Sequence, residues 1–161
     1  MTVEEYNRAV DDYADGLYRF VLKNCRQEEL ARDVVQESYE KLWLKLEDIS
    51  GSKVKTYLFT TGYHTMIDQL RKEKRIAGWE QVQEADHTHE QQYSDLNDIL
   101  EKALQQLPES QRTAILLRDY EGYSYTEIAS ITGLSESQVK VYIYRARVKM
   151  KQLLVKMENV V

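Results

Sequence analysis

The segment from Thr126 to Met150 constrains the fold of this chain more than any other segment. A short stretch of helical period, TEIASIT, is followed by Gly133-Leu134-Ser135 and then by a longer helical stretch. Gly133 can adopt the positive φ that a tight turn requires, and Ser135 can cap the second helix. The apolar residues on both sides of the turn predict one buried seam: Ile128, Ala129, Leu134, Val139, Ile143, Ala146 and Met150. The pattern predicts a helix-turn-helix.

The rest of the chain also predicts helices. Its 161 residues include one proline and six glycines, and strand-type alternation is scarce. In the stretch from Gln27 to Ile49, a broad apolar stripe includes Trp43, which we expect in the core. Gly62 interrupts a later helical pattern and predicts a bend near Tyr63-His64. We therefore predict an all-α fold, with the helix-turn-helix inside a four-helix second domain.

Charge is distributed unevenly along the chain, and this predicts two domains. The net charge is −5, but residues 71–75 carry +3 and residues 102–161 carry +3. Residues 76–101 contain seven acidic residues and no Lys or Arg. Such a composition buries little surface and is typical of a mobile linker. The predicted boundaries are a first domain at 1–76, a flexible acidic linker at 77–94 and a second domain at 95–161.

Positive charge on the second helix of the helix-turn-helix indicates DNA binding. The amino-terminal turns of such a helix enter the major groove, where Ser137, Gln138 and Lys140 can contact base edges. Arg145, Arg147 and Lys149 are better placed for phosphates. The remaining candidates have exposed or flanking directions: Ser135, Val141, Tyr142 and Tyr144. The alternative is a solvated basic helix end that only complements the helix dipole.

Other classes of protein find little support. No apolar run approaches the roughly 20 residues that span a bilayer, and the acidic amino terminus does not resemble a signal peptide. A single cysteine, Cys25, cannot form an internal disulfide, which is typical of a cytoplasmic protein. No catalytic set, metal-ligand pattern or cofactor motif is present. We therefore expect no cofactor and no metal.

Three segments resemble the extracytoplasmic-function (ECF) sigma factors of the sigma-70 family. The carboxy-terminal promoter-binding domain of that family resembles ALQQLPESQRTAILLRDYEGYS together with the following YTEIASITGLSESQVKVYIYRARVKMKQLL. The family's polymerase-docking segment resembles DVVQESYEKLW, and its −10 element segment resembles YLFTTGYHTMIDQLRKEKR. The resemblance covers nearly the whole chain. It implies a protein without a catalytic site that binds core RNA polymerase and directs it to promoters.

The resemblance also implies roles for individual residues. The polymerase-binding residues would be Asp33, Gln36, Glu37 and Glu40, and the three carboxylates among them suit a basic partner surface. The −10 residues would be Tyr63, His64 and Thr65 at the bend, with Asp68 and the basic Arg71, Lys72, Lys74 and Arg75. Aromatic rings stack on unpaired bases, and the basic side chains would hold phosphates. Family members often have Asn where this chain has His64.

The implied partners are core RNA polymerase, through its β′ clamp and β flap, promoter DNA and an anti-sigma factor. Two alternatives from other classes remain open at this stage. One is a stand-alone helix-turn-helix regulator whose first domain dimerises or senses a signal. The other is an enzyme that uses His64 and Asp68 as an acid–base pair, since they lie four residues apart.

Overall fold

The computed structural model describes residues 1–78 and 95–158, and every regular element within them is helical. The first domain contains α1 (Val3–Cys25), α2 (Glu28–Leu44) and α3 (Val54–Ala77), with a short 3₁₀ turn at Gly51–Lys53 before α3. The second contains α4 (Asp95–Gln105), α5 (Glu109–Ile115), α6 (Tyr125–Thr132) and α7 (Glu136–Glu158). The all-α fold is confirmed. Of the predicted linker, only residues 77 and 78 lie within the described residues.

The first domain is a three-helix core. α1 packs against α2 and α3, and it buries Leu17, Phe20 and Val21. Thr2 caps α1 by accepting a hydrogen bond from the Glu5 backbone N–H. Each helix turns its apolar face inward because the side chains repeat every three to four residues.

Gly62 does not bend α3, so the predicted bend is wrong. The helix runs without interruption from Val54 to Ala77. A Cβ at Gly62 would lie 2.7 Å from Leu17 Cδ1, and Leu17 is fully buried. The glycine therefore lets α3 approach α1 closely. A glycine within a helical pattern can mark either a close crossing of two helices or a break in the helix, and the sequence alone does not distinguish the two.

Gly62→Ala is expected to destabilise the protein although alanine is the better helix former. The gain in helix propensity is at most about 1 kcal/mol, whereas forcing a methyl group into a packed crossing typically costs about 1–3 kcal/mol. Gly78→Ala is the matched control, because its Cβ would meet nothing closer than 3.5 Å. Chemical denaturation should give a lower unfolding free energy for Gly62→Ala alone. Equal stability of the two variants would contradict the close crossing.

Trp43 is not a core residue, which corrects a second prediction. Its side chain is 49% exposed and its ring packs edge-on against Tyr6 at a centroid distance of 5.1 Å. The neighbouring Leu44 is also exposed, because α2 ends here and no later element within residues 1–78 and 95–158 covers it. Tyr39, by contrast, is buried and donates its hydroxyl to the Ala9 carbonyl at 2.7 Å.

The second domain has four helices, as predicted, and its turns follow from local chemistry. α5 continues into a π-helical turn at Leu116–Tyr120, which the sequence did not predict. Gly122 and Gly133 both have positive φ, 77° and 79°, and each allows the chain to leave a helix. Ser124 and Glu127 form a capping box at the start of α6.

The two domains pack against each other. Asn24 of α1 accepts a hydrogen bond from the Thr113 hydroxyl at 3.2 Å, and both residues are buried. Arg19 donates two hydrogen bonds to the Glu121 carboxylate, at 3.0 and 3.1 Å. α3 lies against α6 and the turn before it, so that one described core runs through both domains.

Tyr123 lies at the centre of this contact. It is fully buried, its ring packs on Phe59 at 5.2 Å, and the Lys55 ammonium stands 4.4 Å from the ring centroid. Burial raises the pKa of the Tyr123 hydroxyl, so this side chain is held in its neutral form. The ring thus contacts an aromatic side chain and a cation of α3 while its hydroxyl stays neutral.

Candidate nucleic-acid interface

α6 and α7 form the predicted helix-turn-helix. Val139, Ile143 and Ala146 anchor α7 in the core, as the spacing predicted. The opposite face is exposed and carries most of the side chains that the sequence assigned to DNA: Ser135, Ser137, Gln138, Lys140, Val141, Tyr144, Arg145, Arg147 and Lys149. Tyr142 differs from these, because it is half-buried and packs against the core.

The start of α7 is capped reciprocally. The Gln138 backbone N–H donates to Ser135 Oγ at 3.1 Å, and the Ser135 N–H donates to Gln138 Oε1 at 3.0 Å. This is a capping box with glutamine in the third helical position. Ser135 is therefore a cap, as predicted, and Gln138 has a structural role in that cap in addition to its predicted contact with DNA.

Arg147 is already engaged within the protein. It donates two hydrogen bonds to the Asp119 carboxylate, at 2.6 and 3.1 Å, and this pairing raises the pKa of the guanidinium. Asp119 lies in the π-helical turn, 28 residues away, so no local pattern could have indicated the pair. About half of the Arg147 side chain is exposed. A phosphate contact from Arg147 would have to be made alongside Asp119 or in its place.

The basic end of α3 is a second positively charged surface. Arg71, Lys72, Lys74 and Arg75 are all exposed on the last two turns of the helix. Asp68 and His64 are exposed one and two turns earlier, and the His64 ring lies 5.3 Å from the ring of Tyr63. The sequence grouped these residues correctly along one helix, although it placed Tyr63, His64 and Thr65 at the tip of a bend.

Tyr63 and Thr65 are less accessible than the sequence suggested. Tyr63 is half-buried, and burial, together with the Glu109 carboxylate of the second domain, raises the pKa of its hydroxyl. Thr65 is 4% exposed, and its hydroxyl accepts a hydrogen bond from Lys41 Nζ at 3.2 Å. Thr65 therefore faces α2, where it positions Lys41, and it is not exposed to solvent.

The acidic face of α2 lies next to this surface. Asp33, Gln36 and Glu40 are exposed, and the Gln36 amide donates to Glu40 at 3.2 Å. Glu37 pairs with Lys41 at 3.4 Å and accepts a hydrogen bond from the Gln69 amide of α3 at 3.2 Å. Lys41 and Gln69 thus connect the acidic and basic surfaces. The i,i+4 spacing of Glu37 and Lys41 could have indicated their ion pair. The hydrogen bond from Gln69 could not be predicted in this way, because Gln69 lies on another helix.

The His64–Asp68 pair gains no support as a catalytic site. Asp68 lines a groove with Glu37, Lys41, Thr65 and Gln69, and His64 is not among the residues that line it. Within the described ranges, no helix combines the length and the apolarity needed to cross a membrane.

A two-domain helical protein with a capped helix-turn-helix and a separate basic helix end has the layout of a transcription factor. Two family models match the chain: Sigma-70 region 2 over residues 9–76 and Sigma-70 region 4 over residues 97–150.

Individual relatives agree with these matches. The RNA polymerase sigma factor SigV of Bacillus subtilis is 32% identical over 140 residues, which are 85% of this chain and 83% of SigV. The ECF RNA polymerase sigma factor SigM of the same organism is 29% identical over 95% of both chains. The sigma factor RpoE of Bartonella quintana, solved with the anti-sigma factor NepR, superposes with a TM-score of 0.83 at 30% identity. That match covers 94% of this chain and 98% of RpoE.

The chain belongs to the ECF sigma factors of the sigma-70 family. It is an RNA polymerase sigma factor that acts in transcription initiation, so the stand-alone regulator is the weaker alternative. Sigma factors are regulatory proteins and not enzymes.

Proposed function

We propose that the two domains divide promoter recognition between them. The first domain, residues 1–76, docks on the polymerase clamp through the exposed face of α2 and captures the −10 element with α3. The second domain, residues 95–161, binds the −35 element as duplex with α7 in the major groove. The observation that carries this proposal is the pair of exposed basic surfaces on separate domains of an acidic chain.

Duplex binding by α7 is supported by the positions of its exposed residues, because those suited to base edges and those suited to phosphates lie on different turns. Gln138 and Ser137 stand in the first turn, where a recognition helix meets base edges. Arg145 and Lys149 follow about two and three turns later and are exposed, as phosphate contacts require. Arg147 joins them by exchanging Asp119 for a phosphate oxygen. Lys140 Nζ lies 5.9 Å from the Tyr125 ring and can swing from there towards DNA.

The −10 assignment is supported by α3. His64 and Asp68 are exposed on the helix that ends in the basic residues, and Tyr63 offers a ring beside them. Such a surface combines stacking groups with phosphate contacts, as single-stranded DNA binding requires. Thr65 supports this surface from beneath through Lys41.

Binding both elements at once requires the two domains to separate. The −10 and −35 elements lie about 25 base pairs apart, or about 85 Å along B-form DNA at about 3.4 Å per pair. In the structure, Asn24 and Thr113 are joined by a single hydrogen bond. The packed arrangement is therefore a resting state of the protein. The Glu109 carboxylate near Tyr63 further suggests that the second domain partly shields the −10 surface in that state.

The partners follow from this assignment. Core polymerase would contact the α2 face through its β′ clamp and the second domain through its β flap, and the protein would act in the cytoplasm, where polymerase and DNA are. RpoE of Bartonella quintana was solved in complex with the anti-sigma factor NepR. We propose that an anti-sigma factor likewise binds this chain and holds the two domains together.

Charge reversal at Asp33 and Glu40 together tests polymerase docking. They lie seven residues apart on one exposed face of α2, and neither is buried. Glu37 is unsuitable for this test, because reversing it would also break its bonds to Lys41 and Gln69. Asp33→Lys with Glu40→Lys is expected to weaken competition for core polymerase at least tenfold, since like charges would then face each other.

The control makes the same charge change on another helix. Asp11→Lys with Asp15→Lys alters two exposed acids of α1 and should leave competition for core within about twofold. Circular dichroism should report unchanged helicity for both double variants. Equal competition by both would refute docking through α2.

A further inference from the structure

The face of α7 opposite the core is apolar. At about 100° per residue, Val141, Tyr144 and Val148 lie about 160°, 140° and 180° around the helix from the buried Val139. All three of these side chains are exposed, so the packing of the protein's own core does not use them. Single apolar residues on a surface are common, but an exposed apolar stripe at helical spacing marks a surface for a partner.

Basic side chains border this stripe on both sides. Lys140 and Lys151 lie along one side of it, and Arg145 and Lys149 lie along the other. Residues 137–151 include no acidic residue. The major groove of DNA has the matching layout, because its floor of base edges is bordered by a phosphate backbone on each side. The charge pattern therefore favours DNA over a protein surface as the partner of the stripe.

The length of the stripe decides which of its residues the groove can hold. The major groove is about 12 Å wide, and an α-helix rises about 1.5 Å per residue. Measured from Ser137, in the first turn of α7, Tyr144 lies about 10.5 Å along the helix and Val148 about 16.5 Å. A recognition helix enters the groove with its amino-terminal turns. Val141 and Tyr144 are thus within reach of the base edges, and Val148 lies beyond them.

Thymine carries the chemical group that these side chains can recognise. Base pairs present hydrogen-bond donors and acceptors in the major groove, and the 5-methyl of thymine is the apolar group among them. Valine has no side-chain hydrogen-bonding atom, so Val141 can distinguish bases only by apolar contact. We infer that Val141 and the ring of Tyr144 are specificity determinants that select thymine, at one or two positions of the −35 element, by contact with its methyl group. The inference rests on the proposed −35 function of the second domain.

Deoxyuridine tests this contact directly, because it pairs as thymine does and lacks only the methyl group. A −35 element is first selected with the parent holoenzyme from promoters randomised over that region. Each thymine of the selected element, on either strand, is then replaced singly by deoxyuridine, and holoenzyme binding is measured by competition. We expect one or two of these replacements to weaken binding about 3- to 5-fold, as loss of one buried methyl group typically does.

Two valines of the stripe provide a matched pair of variants. Val141→Ala and Val148→Ala make the same change on the same face of α7, at side chains that are 43% and 39% exposed. Val141→Ala or Tyr144→Ala should remove the deoxyuridine penalty at each contacted thymine, whereas Val148→Ala should keep the pattern of the parent. All three variants should melt close to the parent, because exposed side chains contribute little to stability.

Equal binding of thymine and deoxyuridine templates by the parent, at every position, would overturn the inference. A penalty that persists in both Val141→Ala and Tyr144→Ala would also overturn it, because the methyl group would then meet another residue. So would a penalty that Val148→Ala alone removes, because the groove would then hold a different part of the stripe. Failure of the −35 function gives a distinct result, since the parent holoenzyme would then select no preferred sequence over the −35 region.

Discussion

Replacing Arg71, Lys72, Lys74 and Arg75 together with glutamine is expected to cause the largest loss of promoter opening of any surface change in this protein. All four side chains are exposed at the end of α3, so their removal should not disturb the core. Each phosphate contact to single-stranded DNA contributes about 0.7 to the slope of log affinity against log salt. Losing four should lower that slope by roughly 3. Holoenzyme binding to a promoter with a pre-melted −10 region, measured over a range of salt, gives the slope directly.

The two-charge version of this experiment has a matched control. Lys72→Gln with Lys74→Gln removes two positive charges from the proposed −10 surface. Arg8→Gln with Lys53→Gln removes two exposed charges near the opposite end of α3. Because Lys53 lies 19 residues before Lys72, about 29 Å along a helix, the second pair should leave the slope nearly unchanged. A change of equal size in both pairs would mean that net charge matters and the α3 surface does not.

Tyr123→Ala is expected to cost about 3–5 kcal/mol of unfolding free energy, as truncation of a buried aromatic residue typically does. Tyr123 is fully buried between the domains, so its loss removes the packing with Phe59 and opens a cavity at the contact. The domains should separate more readily in the free protein. Denaturant unfolding measures the free energy, and the distance between fluorophores on α1 and α7 measures the separation.

Tyr123→Phe is the control, and it isolates the hydroxyl. The Tyr123 hydroxyl is buried, and no hydrogen-bond partner for it is present among the described residues. Removing an unpaired buried polar group should be neutral or slightly stabilising, while the ring contacts with Phe59 and Lys55 remain. A loss with Tyr123→Phe as large as with Tyr123→Ala would show that the hydroxyl, and not the ring, holds the domains together.

Much of the fold could be predicted because a helix is marked by the spacing of apolar residues within its own segment. The seam through Val139, Ile143 and Ala146 is buried as its spacing predicted, and Gly133 has the positive φ that the turn requires. Gly62 shows the limit of such local inference. Its sequence context fits a helix break, whereas its role is to admit Leu17 from another helix.

Among the candidate DNA-binding residues, exposure could be predicted from the sequence, whereas contacts with other helices could not. Exposure of Lys140, Arg145 and Lys149 followed from the pattern of buried residues on their own helix. The engagement of Arg147 by Asp119 did not, because the two are brought together only when the π-helical turn packs beside α7. Thr65 likewise turned from a predicted base contact into a buried partner of Lys41 on another helix.

Which segments are helices, where the turn of the helix-turn-helix lies and where positive charge collects could all be predicted from local sequence. These properties depend on residues within a few positions of one another. The contacts of Asn24 with Thr113 and of Arg19 with Glu121, and the burial of Tyr123 between the domains, arise from the packing of the folded chain. Those contacts join residues that are far apart in the chain, and their partners are fixed by the packing of whole helices. No periodicity in the sequence encodes that packing.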